Sequence, residues 1–127
     1  MKDIMAIIRI NKMNETKKAL EQAGITSMTA TGRVLGRGKG NVDYRILNGA
    51  KEGREEAIAQ LNTNGPRLIP KRLISVVVPE ALVKKTVAAI IKANQTGMPG
   101  DGKIFVLPVL ESHRVRTAES GDKVLDE

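Results

Sequence analysis

An α+β domain with one antiparallel sheet and both helices on a single sheet face is predicted for this chain, on three observations. Apolar, β-branched runs recur at residues 3–10, 25–35, 71–78 and 103–109, each of a length suited to a strand. Two intervening stretches, 14–23 and 80–95, carry apolar residues at helical spacing and stop near Gly24 and Gly97. The chain has 127 residues, 41% of them hydrophobic, which suffices for one domain with its own core and is too apolar for disorder. Strand, helix, strand, strand, helix, strand is the split βαβ order of a ferredoxin-like fold.

Each element has its own local reason. Residues 3–10 (DIMAIIRI) end at a polar cluster, as a central strand does. Asn14 is the expected N-cap of the first helix, with Leu20 and Ala23 on one face. Residues 25–35 alternate imperfectly, and Gly32 marks a bulge in the second strand. Residues 36–70 lose periodicity and gather Gly36, Gly38, Gly40, Gly49, Gly53, Gly65 and Pro66. They read as a long functional loop in which Lys51 to Leu61 can form a short helix. KRLISVVV restores a strand, and Pro79 precedes a helix whose face carries Leu82, Val83, Val87, Ile90 and Ile91. KIFVLPV is the fourth strand, with Pro108 at its edge. Residues 110–127 form a polar C-terminal extension of the single domain 1–127. Helices on one face leave the other sheet face bare, so an oligomer with inward-facing sheets is expected.

Composition narrows the function. Lys and Arg number 21 against 14 Asp and Glu, a net charge of +7, and the excess lies in residues 1–110, which hold 18 basic and 9 acidic side chains. The absence of cysteine excludes disulfides, thiol nucleophiles and Cys-based zinc sites, and suits the cytoplasm. No apolar run reaches the length of a membrane span. Tyr44 and Phe105 are the only aromatic residues, so base-stacking platforms are missing. Three readings of the positive charge stay open: a small polyanion gripped by converging cations, an acidic protein partner, or binding to a duplex backbone as a basic ferredoxin-like nucleic-acid module. Catalysis has little support, because Ser112 and His113 are adjacent and no carboxylate is spaced to orient the histidine.

Four features suit an anion. Thr96-Gly97-Met98-Pro99-Gly100-Asp101-Gly102-Lys103 lets backbone N–H groups approach a phosphate, with Lys103 adding a point charge. It is not a P-loop: Ile104 stands where Ser or Thr would hold Mg²⁺, and the loop leads from helix to strand. Gly36-Arg37-Gly38-Lys39-Gly40 alternates glycine with cations. Arg114 and Arg116 share one face of an extended segment and can clamp one polyphosphate. Lys71 is a cation at the base of the long loop.

Together these motifs resemble the PII nitrogen-signalling family. The resemblance runs through Ala6-Ile7-Ile8, Gly24-Ile25-Thr26 to Met28-Thr29, Leu68-Ile69-Pro70-Lys71, Val76-Val77-Val78-Pro79, Thr96-Gly97, Gly100 to Val106 and Arg114-Val115-Arg116-Thr117. It implies a trimeric, non-catalytic cytoplasmic regulator that binds ATP or ADP between subunits, senses 2-oxoglutarate with Mg²⁺, and grips a target protein through a long T-loop between strands 2 and 3. Carried over by position, it makes Ile7, Met28, Thr29, Gly38, Lys39, Val77, Gly100, Asp101, Gly102, Lys103, Arg114 and Arg116 nucleotide-binding, and Lys71, Gly38 and Lys39 the residues around 2-oxoglutarate. No catalytic residue or protein-held metal is implied.

Two departures stand out. The family's Gly-Arg-Gln-Lys-Gly is Gly36-Arg37-Gly38-Lys39-Gly40 here, so the Gln ligand of Mg²⁺ and 2-oxoglutarate is absent. The loop is longer than usual, with Tyr44 near its start and no tyrosine near its middle, so nucleotidyl modification is not implied. With Asn11-Lys12-Met13-Asn14, these features look like the nitrogenase-associated branch of archaea and anaerobic bacteria. That implies a homotrimer or a hetero-oligomer with a PII paralogue, and nitrogenase as the target.

Overall fold

The computed structural model describes residues 1–36 and 68–126. Four strands, β1 (Lys2–Ile8), β2 (Thr29–Gly36), β3 (Ile69–Val78) and β4 (Lys103–Pro108), and two helices, α1 (Met13–Gln22) and α2 (Val83–Asn94), follow the predicted order. The sheet is wholly antiparallel with strand order β2-β3-β1-β4, the ferredoxin-like arrangement. Gly38, Lys39, Tyr44 and the short helix expected at Lys51–Leu61 lie outside the described residues. No helix among the described residues is long and apolar enough to cross a membrane.

The core follows from strand alternation. Ile4, Ala6 and Ile8 of β1 and Ile74, Val76 and Val78 of β3 are all buried on one sheet face. Leu20 of α1 and Ile90 of α2 close over them. The two helices also share a polar contact: the Asn94 amide donates to the Thr16 hydroxyl at 2.9 Å and to the Ile90 carbonyl at 2.9 Å. Both residues are 5% exposed or less, so these bonds replace water that cannot reach them.

The two βα halves start in the same way. A residue with extended backbone, Arg9 or Pro79, leads into a 3₁₀ turn, Ile10–Lys12 or Glu80–Leu82. Lys12 and Leu82, each with φ −101° and ψ 0°, then open the α-helices. Thr16 and Thr86 donate their hydroxyls to the carbonyls four residues back, both at 2.7 Å. This shared turn displaces the expected cap: Lys12 is the N-cap of α1, with no side-chain capping bond, and Asn14 falls inside the first turn. It also ends β1 at Ile8, leaving Arg9 at the strand terminus. On α2 the buried stripe runs through Thr86, Ile90 and Asn94, and Ile91 is 45% exposed. β2 begins at Thr29 because Gly24, at φ 81°, ends the helix and residues 25–28 cross to the sheet, and its register shifts between Ala30 and Arg33 around Gly32.

Among the described residues no helix packs on the second sheet face. Met5 and Ile7 of β1, Leu73 and Val77 of β3, and Phe105 and Leu107 of β4 all point to it by alternation and register. Phe105 and Leu107 are 43% and 38% exposed. Asp3 accepts from the Ser75 hydroxyl at 2.7 Å on the same face.

Replacing Asn94 with Ala is expected to destabilise the fold by about 1–3 kcal/mol, since it removes the bond that the buried amide makes across to Thr16 and leaves a void between the helices. Denaturant unfolding reads the change, and a loss under about 0.5 kcal/mol would show that the helices do not rely on this contact.

Candidate functional site

The site is built where three chain segments meet. The last registered pair of the central strands is Ile8 with Arg72, and one step further along each lie Arg9 and Lys71. β4 starts opposite Ile7, so the connection from α2 must pass this same end. The ends of the long segment meet here too, since Gly36 pairs with Ile69 and Val34 with Lys71. Arg9, Ile10, Asn11, Ile69, Pro70 and Lys71 line a small open cleft beside the loop.

The loop from Thr96 to Gly102 is organised by Asp101. One carboxylate oxygen accepts the backbone N–H of Thr96 at 2.7 Å and of Gly97 at 3.0 Å. The other accepts the Thr96 hydroxyl and the Arg9 guanidinium. Arg9 also donates to the Pro99 carbonyl at 3.0 Å, and Lys71 donates to the Gly100 carbonyl at 2.8 Å. Burial pushes the Asp101 carboxyl up, but the combined donors, led by the Thr96 hydroxyl and amide, outweigh it and hold the group well below the usual carboxylate range.

Glycine is required by this geometry. Gly97, Gly100 and Gly102 have φ of 84°, 97° and 119°. At Gly102 a Cβ would also collide with the Ile7 carbonyl oxygen, whereas at Gly97 it would meet nothing within 4 Å. The backbone thus approaches β1 closely just before Lys103 turns onto the bare face beside Ile7.

Arg114 sits elsewhere. β4 ends at Pro108 opposite Lys2, and the Val109 amide bonds the Met1 carbonyl, so the C-terminal segment leaves at the far end of the sheet. Six strand residues separate that end from the Gly-rich loop, roughly 20 Å. There Arg114 donates to Glu119 at 2.8 Å and to the Lys123 carbonyl at 3.2 Å. Donors from Thr117 and Lys123, together with the Arg114 charge, hold the Glu119 carboxyl below its ordinary range. Ala118, at φ 60°, turns the chain back, and Arg116 is exposed nearby. His113 is an exposed bridge residue paired with Ser120, and the Glu111 carboxylate, two residues away, lies 3.4 Å from its Nε2, a contact the sequence reading did not expect.

The residues predicted from sequence therefore fall into two groups. Ile7, Lys71, Gly100, Asp101, Gly102 and Lys103 gather at one end of the sheet. Thr29, opposite Ser75, and Val77, opposite Asp3, lie toward the other end, from which the segment bearing Arg114 and Arg116 departs. Met28 packs against the hydrophobic core. Arg9 was not among the predicted residues. A cation closing an apolar strand was the available signal, but nothing in the order of residues joins it to Asp101.

Comparison with known proteins adds a family. The model described as nitrogen regulatory protein P-II matches residues 1–119. A "Nitrogen fixation nifHD region GlnB-like protein 2" of Methanobacterium ivanovii is 47% identical over 130 residues, covering 98% of this chain and 99% of that protein. Its counterpart in Methanococcus maripaludis is 43% identical over 126 residues, covering 98% and 100%. Among solved structures, Arabidopsis thaliana PII bound to citrate superposes with a TM-score of 0.72 at 28% identity, over 99% of this chain and 90% of that one.

Two outcomes follow for the loop. Asp101 ionises more readily folded than unfolded, so its contribution is present above its ordinary value of 3.8 and is lost as the pH falls from there. The Thr96 and Gly97 amide resonances should hold constant from about pH 8 to 5 and move only in stronger acid. Gly102→Ala should cost more than about 2 kcal/mol and Gly97→Ala about 1 kcal/mol, as read by thermal unfolding; equal costs would show that the approach to Ile7 is not tight.

Proposed function

Because this chain belongs to the P-II nitrogen regulatory protein family, alongside the nif-region GlnB-like proteins of methanogens, we propose that it is a non-catalytic, nucleotide-responsive regulator of nitrogen fixation. The observation that carries this reading is the Gly-rich loop from Thr96 to Lys103 held against Lys71, at the point where the long segment leaves and rejoins the sheet. An anion bound there touches the base of that segment, so its charge can bias which conformations a partner meets.

ATP or ADP fits the donor set. Lys103 and the glycine N–H groups suit phosphate oxygens, and the loop's own carboxylate is neutralised by Arg9. Of the remaining nucleotide residues, Thr29 and Val77 pair four and six strand positions beyond Lys71, and Arg114 and Arg116 belong to the segment that leaves from the other end of the sheet, so in this reading they serve the loop of a neighbouring subunit. A neighbouring subunit seated on the bare apolar face would bring its far end to this loop and complete the cleft. Trimer formation, with identical chains or with a paralogue, thus covers Phe105 and Leu107 and assembles the site together.

2-Oxoglutarate is the second effector in this reading, with Lys71 pairing one carboxylate. The citrate bound by the Arabidopsis relative is likewise a polycarboxylate. Mg²⁺ supplies charge neutralisation between phosphates and carboxylates, and it takes most of its ligands from the effectors and water. Among the described residues no cluster of acidic or histidine side chains could hold a metal by itself. Gly38 and Lys39 belong to the same proposed site. Residues 1–127 act as one cytoplasmic domain, with 36–70 as the loop that engages the target, nitrogenase, and 110–127 as an extension.

Calorimetric titration with Mg-ATP, with and without 2-oxoglutarate, tests the proposal. Mutual strengthening is expected, since coupled sites must affect each other reciprocally. Lys103→Ala and Arg114→Ala should each weaken ATP by about tenfold or more with the fold intact, as loss of a charge-assisted contact predicts. Lys71→Ala should abolish the 2-oxoglutarate effect selectively. Binding to DNA or RNA that ignores ATP and falls steeply with salt would replace this reading with the nucleic-acid module.

A further inference from the structure

A carboxylate in a loop that seats a polyanion is a physical problem, because its charge opposes the ligand. Asp101 faces that problem, since it lies between Gly100 and Gly102 in the loop assigned to the phosphates. An ionised carboxylate offers about four lone-pair positions. At Asp101 four donors occupy them: the N–H groups of Thr96 and Gly97, the Thr96 hydroxyl and the Arg9 guanidinium. No acceptor position is left over for a ligand hydroxyl or a metal ion.

From this saturation we infer that Asp101 and Arg9 form a positioning latch that shapes the ligand loop, and that Asp101 does not itself touch the ligand. The inference rests on the regulator reading above and assigns the roles within its site. Arg9 closes the latch from β1, bonding Asp101 with one arm of its fork and the Pro99 carbonyl with the other. It therefore holds the loop on both sides of Gly100. Three left-handed glycines make this stretch costly to order, and fixed contacts to β1 offset that cost. The Arg9 and Asp101 side chains are 22% and 24% exposed, sheltered enough for the pair to hold. Pairing leaves the charges of Lys71 and Lys103 uncancelled by Asp101. Thr96 belongs to the latch as well: its hydroxyl accepts from the Met98 amide at 3.2 Å while donating to Asp101.

The test uses the full chain with Asp101→Asn, which keeps the shape, removes the charge and replaces one acceptor by an NH₂ group. ATP affinity is measured by calorimetry with and without Mg²⁺, and hydrogen exchange is followed at the Thr96 and Gly97 amides. A latch predicts at least tenfold weaker ATP binding, equal with and without Mg²⁺, together with faster exchange at those two amides and unchanged protection in β1, β3 and β4. It also predicts that Arg9→Gln adds little once Asp101→Asn is present, because both break one device. Stronger ATP binding in Asp101→Asn would show a charge facing the ligand, and a loss seen only with Mg²⁺ would show a metal ligand; either overturns the latch, as does affinity within twofold of the unsubstituted protein. Should Asp101→Asn fail to fold, Arg9→Lys keeps the charge but not the fork, and unchanged exchange at Thr96 and Gly97 in that variant is equally fatal. If the unsubstituted protein binds no ATP, the nucleotide reading falls by itself, and amide exchange alone decides whether the latch exists.

Discussion

The pairing of β1 with β3 is the constraint on which the rest of this structure depends. Three alternate residues of each strand, Ile4, Ala6 and Ile8 against Ile74, Val76 and Val78, are six of the ten residues of the buried hydrophobic cluster, and both helices fold onto them. Because side chains alternate, a slip of one residue in this register would put the three apolar residues of one strand on the face opposite those of the other. The same register sets Arg9 beside Lys71 at the strand ends. Core packing and the placement of the cations are therefore one decision.

What hangs on that register at the functional end is electrostatic. Lys71 and Arg9 both reach across to the connection between α2 and β4, one to the Gly100 carbonyl and the other to Asp101 and Pro99. Asp101 gathers the turn around itself, and Gly102 lets the backbone pass against Ile7 where any Cβ would collide. The loop is thus shaped before a ligand arrives, which lowers the ordering cost of binding. C-terminal Arg114 is pre-paired in a similar manner with Glu119.

The sheet also explains why one chain is an incomplete device. The Gly-rich loop enters β4 at one end and the segment that carries Arg114 leaves from the other, with an apolar face between them. In the proposed assembly a symmetric neighbour would bury that face and join unlike ends, so assembly and ligand capture would draw on the same surface. A regulator built in this way gains a simple route from effector to partner, since the long segment is rooted at Gly36 and Ile69 beside the captured charge.

Fold class and the order of strands and helices along the chain were legible in the sequence, because they are written in local periodicity and in glycine spacing. The four strands, both helices, the bulge near Gly32 and the helix stop at Gly24 all rest on interactions a few residues long, whereas the second helix ends at Asn94, ahead of the expected stop at Gly97. Element boundaries at Arg9 and Thr29, the 3₁₀ turn that replaces an Asn14 cap, and the exposure of Ile91 were set by how the helices sit on the sheet. Arg9 shows the limit most clearly. Its partner Asp101 is 92 positions away, and no periodicity spans that interval, so only folding the two strand ends together makes the pair. The division of the predicted ligand residues between two ends of the sheet has the same cause. Sequence specifies which side chains can meet an anion, while strand register decides which of them share a place.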